Sequence, residues 1–320
     1  MANNSILMSQ LTDNILDAVN KFSKQMTSTG LFAFRSASTI FNEGLQFEYK
    51  QNAQGENIGE AHITVSSDNI EAFNKVGSKV LDAMLTQSFS NSIGVVSRKP
   101  SQINKTIKAH YEDKFGATDA ETVRIGGGMV NSIEQQIVDS MNDTALFNNI
   151  LAPAIDGMIK DMNNRTTVNA LFVNAQTRIE DRFSNYLRPL ASAQLQTAAR
   201  TLEEHYANSY KGLNWVSYVR RTAQPPERRE FCNDHESGLK GNPRTHYHVN
   251  EVKYLWTNYE GGKWEGQIKG TNSASILNFA GGYNCLHSFE YTTVQNVKKS
   301  DITAARKELS GTGHSISGQD

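Results

Sequence analysis

Residues 179–206 read IEDRFSNYLRPLASAQLQTAARTLEEHY, and in this stretch Ile179, Phe183, Leu187, Leu190, Leu195, Ala198, Leu202 and Tyr206 recur at helical steps. A stripe of this length predicts long helices over 163–210, restarted or kinked at Pro189, whose ring removes an amide donor. Such a seam serves a helix bundle or a contact between copies. The chain before it is patterned the same way. Leu11, Ile15, Ala18, Val19, Phe22 and Met26 share one face, and Val130, Ile133, Ile137 and Met141 share another. Ile70, Phe73, Val76, Val80, Leu81, Met84 and Leu85 form a third stripe, capped by Ser67 or Asp68. Residues 45–49 and 61–65 alternate like strands around a polar stretch, which predicts a hairpin near 45–65. Residues 98–102, with Pro100, read as a loop. Gly126, Gly127 and Gly128 read as a hinge or as a turn able to cradle phosphate.

Composition changes after residue 204. All three tryptophans, both cysteines and six of the eight histidines follow it. The expected fold is α+β: a mainly helical N-terminal region over 1–162, the long helices of 163–210, a small mixed α+β domain over 211–300, and a short helix with a mobile tail over 301–320.

The 320 residues carry 32 Lys and Arg against 33 Asp and Glu, a formal net charge of −1. That balance excludes a globally basic DNA-coating protein and an acidic solvating chain. A local excess remains, because Lys211, Arg220, Arg221, Arg228 and Arg229 stand against only Glu227. Flanking the stiff Gln224-Pro225-Pro226, they can grip phosphate or an acidic partner, or form a solvated linker. The start lacks a basic and apolar leader, and the longest apolar runs fall short of the roughly 20 residues that span a bilayer. The expectation is a cytosolic chain without a membrane segment.

Four candidate ligands fall in two tight pairs, Cys232 with His235 and Cys285 with His287. Thiolate and imidazole are the usual zinc donors, so the pairs can close a structural zinc site. A Cys232–Cys285 bridge formed after release from a reducing cell, or buried thiols beside polar histidines, are the other readings. His246 and His248 are spare donors. Two catalytic rivals use the same residues: a Cys285 nucleophile activated by His235 or His287, and a metal-dependent nuclease built on Asp234, His235 and His246. Trp256 and Trp264, with Tyr254 and Tyr259 near them, fill a core, anchor an interface or stack on bases.

The order of these elements carries more than any one of them. Tyr218-Val-Arg-Arg-Thr222, Arg229-Glu-Phe-Cys232, Trp264-Glu-Gly266, Ser275-Ile276 and Gly281-Gly-Tyr-Asn-Cys-Leu-His287 together resemble the C-terminal region of phage head-morphogenesis proteins of the Mu F type, the minor head or minor capsid proteins. The resemblance covers about residues 165–295 if the helices are included, and residues 1–160 resemble nothing we can name. It departs from the pattern at Leu286, where the family usually carries arginine, and in the polar insertion of residues 242–250. The resemblance implies a non-enzymatic virion component, made in the host cytoplasm and built into the head in several copies. Portal protein, major capsid protein and packaged DNA are the implied partners. Phe231, Trp264, Gly266, Gly281, Gly282, Tyr283 and Asn284 would define the domain's fold, with the two glycines of 281–282 letting Cys285 approach Cys232. The rival is a metal-dependent hydrolase or nuclease carried in the virion.

Overall fold

The computed structural model describes residues 11, 13–29, 31–32, 47–63, 66–84, 87–141, 147–164, 166–220, 229–283 and 285–316. It has a mostly helical N-terminal part and a small mixed α+β C-terminal region. Two compact units divide the chain: Met1–Asp17, Arg98–Gln135 and Ser192–Asp320 form one, and Ala18–Ser97 with Gln136–Ala191 the other.

In the second unit the hairpin pairs β1 (Phe47–Gln51) with β2 (Asn57–Ile63) in antiparallel register, Glu48 opposite His62. The strands run further into the polar stretch than alternation suggested, because Asn52 closes a tight turn there. Its Oδ1 accepts from the amides of Gln54 at 3.0 Å and Glu56 at 2.9 Å. Helix α1 (Ser67–Met84) follows. Its cap is Ser66 rather than Ser67 or Asp68: the Ser66 Oγ accepts from the Asn69 amide at 3.2 Å. Helix α2 (Gln87–Ser97) ends at Arg98 and α3 (Lys99–Phe115) begins at once. The expected loop at 98–102 is therefore a helix start. Pro100 sits in the first turn, where an amide donor has no partner to lose.

Helix α4 (Ala120–Ser140) passes unbroken through Gly126, Gly127 and Gly128, so neither hinge nor phosphate turn forms. Gly126 is required by packing in the first unit: a Cβ there would come within 2.9 Å of the Tyr206 hydroxyl. That hydroxyl donates to Asn104 at 3.0 Å, and Tyr206 and Tyr210 stack on Tyr111 of α3. Gly127 and Gly128 face open space.

In the second unit α5 (Ala152–Asn163) packs on α6 (Val168–Arg182). Arg178 donates to both carboxylate oxygens of Asp161, at 2.8 and 2.9 Å, over the bare Cα of Gly157. Residues Phe183–Leu187 form a π-helical turn, and α7 (Arg188–Ser209) restarts with Pro189 in its first turn. The π turn has a sequence cause. Ile179, Phe183, Leu187, Ala191 and Leu195 are spaced by four, and each such step overshoots a straight helix by about 40°. A widened turn takes up the drift and keeps all five buried, while Leu190 falls at the margin.

The C-terminal sheet lies in the first unit. Strand β3 (Trp215–Arg220) is central, between β4 (Tyr247–His248) and β5 (His287–Thr292), all antiparallel, with Arg220 opposite His287. Short helices α8 (Glu230–His235), α9 (Val249–Tyr254) and α10 (Ile276–Phe279) and the terminal α11 (Lys299–Leu309) complete it. Trp256 and Trp264 are buried, so they belong to the core rather than to a stacking surface. Among the described residues, no helix is long and apolar enough to cross a membrane.

Candidate metal centre

Three donors converge beneath the central strand. Cys232 comes from α8, whose first turn buries Phe231 and Cys232. Cys285 ends a turn closed by its own amide on the Gly282 carbonyl at 3.1 Å, and His287 opens β5 two residues later. The Sγ atoms of Cys232 and Cys285 lie 4.0 Å apart, and Cys285 Sγ lies 3.7 Å from His287 Nδ1. All three residues are buried, at 5, 4 and 4 % exposure. Sulfur at about 2.3 Å and nitrogen at about 2.0–2.1 Å from one zinc ion in a tetrahedron stand about 3.6–3.8 Å apart, close to these two distances.

The surroundings suit an ion. His287 Nε2 lies 2.9 Å from Glu236 Oε2 and donates to that carboxylate, while Nδ1 is the nitrogen that faces the thiols. A carboxylate holding the outer nitrogen of a ligating histidine is the usual support for such a ligand. The thiols are unlike. Burial works against ionisation of Cys285, yet the hydrogen bond from Cys232 and the charge of Arg200 outweigh it and hold that thiol well below its ordinary value. Cys232 is pushed up, by Cys285 and by burial.

The motif residues interlock around the triad. Arg229 donates to the Gly281 carbonyl at 3.2 Å, and its guanidinium fills the space that a Cβ on Gly266 would need. Tyr283 donates its amide to the Gly266 carbonyl at 2.8 Å. Gly282, with φ 98°, presses on that same carbonyl, leaving no room for a side chain and requiring a left-handed backbone. Phe231 stacks on Trp264, ring centroids 4.6 Å apart. Gly281 acts differently from its neighbour. Its backbone is not left-handed, but a Cβ on it would meet Cys232 Sγ at 2.6 Å and Cys285 Sγ at 3.1 Å.

Other expected site residues stand elsewhere. His235 does not join the triad: its Nδ1–H donates to the Phe231 carbonyl at 2.7 Å, and its ring lines an open polar cavity of about 360 Å³ with Asp234 and Arg244. Among the described residues, Cys232, Cys285 and His287 form the only cluster of three such donors, so Asp234, His235 and His246 do not assemble a metal site. His248 caps α9, accepting from the Asn250 amide at 3.2 Å, and His246 Nδ1 lies 3.1 Å from the Thr245 hydroxyl. In the basic strip Lys211 is exposed, Arg220 is half-buried at the end of β3, and Arg229 belongs to the interlocked motif. Arg221, Arg228 and Asn284 lie outside the described residues. Tyr283 is exposed.

Three contributors had no site role in the sequence, although Tyr218 opens the first of the runs quoted above. Tyr218, fully buried on β3, places its hydroxyl 3.1 Å from Cys285 Sγ and 3.6 Å from Cys232 Sγ, with its ring stacked on His287. Glu236 orients His287. Arg200, on α7, donates to the carbonyls of Asn278, Phe279, Cys285 and His287. A signal for it existed: Ser192, Gln196, Arg200 and Glu203 form a polar line at helical spacing, all buried in an Ala- and Leu-rich helix. Against known protein families, curated proteins and solved structures, the chain finds no match.

Proposed function

We propose that the chain is a structural component of a tailed-phage head, a minor head protein that acts in assembly by contact with the portal or major capsid protein. In this reading a zinc ion on Cys232, Cys285 and His287 stabilises its C-terminal domain. The observation that carries the proposal is the interlocking just described. Arg229, Phe231, Cys232, Trp264, Gly266, Gly281, Gly282, Cys285 and His287 are spread over several segments of sequence and meet in one packed knot. An order of residues that resembles a family and also closes a single packing unit is the mark of a domain signature.

Burial favours a structural ion over a catalytic one. With each donor at most 5 % exposed, a substrate has no approach to an ion held there. Contact with packaged DNA, if made through the basic strip, falls to residues other than Arg229, whose guanidinium is engaged with Gly281.

A mass-spectrometric inventory of particles from the phage or prophage encoding the chain tests the role, alongside metal analysis and a nuclease assay on the purified chain. Recovery with heads or portal complexes and stoichiometric zinc without cleavage are expected. Absence from every head and portal complex refutes the structural role, and chelator-sensitive cleavage replaces it with a virion nuclease.

A further inference from the structure

We propose that the Tyr218 hydroxyl is the fourth ligand of the zinc site, closing it as a tetrahedron of two thiolates, one imidazole and one phenolate with no position left for water. The inference rests on the metal reading above and adds a donor outside the usual Cys and His set. Zinc bound by three protein residues keeps an open fourth position, and that position is where its chemistry happens; a fourth protein donor removes it. Whether the centre is inert therefore depends on what stands opposite the triad.

Tyr218 stands there. Its oxygen is 3.6 Å from Cys232 Sγ and 3.1 Å from Cys285 Sγ. An oxygen at about 2.0 Å and a sulfur at about 2.3 Å from one tetrahedral ion are about 3.5 Å apart, so both oxygen–sulfur distances lie within about 0.4 Å of that geometry. The ring is held for the purpose: Tyr218 is the buried middle of the central strand, stacked on His287 at 4.6 Å and set edge-on to Trp256.

Gly281 keeps the donors uncrowded. A Cβ built there would lie 2.6, 3.0 and 3.1 Å from Cys232 Sγ, Tyr218 Oη and Cys285 Sγ. Any side chain at 281 would therefore collide with three of the four donors at once. The charge also closes. Zinc with two thiolates and a phenolate carries −1, the phenol's proton and those on the thiols leaving to solvent on binding. Arg200 brings a buried +1 whose guanidinium holds the carbonyls of Cys285 and His287.

The test is zinc titration of the metal-free full-length chain, followed by ultraviolet difference absorption, in wild type and Tyr218→Phe. Wild type is expected to gain a thiolate-to-metal band and an ionised-tyrosine band together, both saturating at one zinc per chain. Y218F is expected to bind one zinc about 10- to 100-fold more weakly, without the tyrosine band. Its cobalt(II) derivative should change spectrum on adding azide, while that of wild type should not. One zinc per chain in wild type with no ionised-tyrosine band overturns the Tyr218 assignment and leaves the triad standing. No zinc in wild type overturns the triad itself, and the assignment with it. If Y218F does not fold, as judged by tryptophan fluorescence, the wild-type spectrum decides alone.

Discussion

Replacing Arg200 with methionine should unfold the C-terminal domain far more readily, although Arg200 contacts neither solvent nor a proposed ligand's donor atom. Arg200 is 3 % exposed. Its Nε donates to the His287 carbonyl at 3.0 Å, one Nη reaches the Cys285 and His287 carbonyls, and the other reaches Asn278 and Phe279 at 3.3 and 3.4 Å. Methionine keeps most of the stem's packing and removes every donor. Two short charge-assisted contacts and one ordinary one are lost outright, each worth about 1.5–3 kcal/mol, and buried carbonyls are left facing a thioether. Relief from burying the cation offsets part of this, so the net cost is about 3–5 kcal/mol. At a urea slope of about 2 kcal/mol per molar, the midpoint falls by about 1.5–2.5 M. Tryptophan fluorescence is the assay, because Trp215, Trp256 and Trp264 are the chain's only tryptophans and all lie in this domain. A midpoint within about 0.5 M of wild type at unchanged slope, on the order of a 1 kcal/mol effect, refutes the role assigned to Arg200.

Two further outcomes are expected. Asp301 is buried, and although burial raises its carboxyl, the Thr245 hydroxyl and the amides of Thr245 and His246, at 2.7, 3.1 and 3.0 Å, bring it below its ordinary 3.8. A depressed carboxyl adds stability above its unfolded value and loses it as pH falls through the folded one. Asp301→Asn should therefore cost about 1–2 kcal/mol at neutral pH. The difference should vanish as pH drops below 3.8, and parallel wild-type and D301N curves of urea midpoint against pH would count against the network. Gly127→Ala and Gly128→Ala should each stabilise by about 0.5–1 kcal/mol, since both sit mid-helix in α4 with nothing within 4 Å of a new Cβ. Thermal unfolding checks this, and destabilisation by either would mean that the glycines serve a bend after all.

The contrast between these glycines shows where sequence stops being legible. The stripe of Ile179, Phe183, Leu187, Leu190, Leu195, Ala198, Leu202 and Tyr206 was readable because helical period is local, and every one of those residues but the half-buried Leu190 is buried. Ser192, Gln196, Arg200 and Glu203 were equally periodic, but a polar line says only that something polar faces it. The partners of Arg200 lie about eighty residues on, in the carbonyls of 278–287. Gly126, Gly127 and Gly128 look identical in sequence. One is fixed by Tyr206 across the unit and two by nothing, which no neighbour in the chain encodes.

The candidate site divides along the same line. Cys232, Cys285 and His287 were legible as zinc-type donors, since residue chemistry limits what they can do. Which histidine joins was not, because Cys232 and His235 lie three apart on one short helix and spacing favours the pair. The helix instead gives His235 Nδ1 the Phe231 carbonyl one turn back, while strand pairing carries His287 to the thiols. Strand β3 does the same for Tyr218: alternation turns it inward, and the register with β5 sets Tyr218 opposite Phe289 and Arg220 opposite His287. A centre assembled by β-pairing takes its fourth member from the neighbouring strand, so the residue that completes the tetrahedron is one that spacing along the chain could not select.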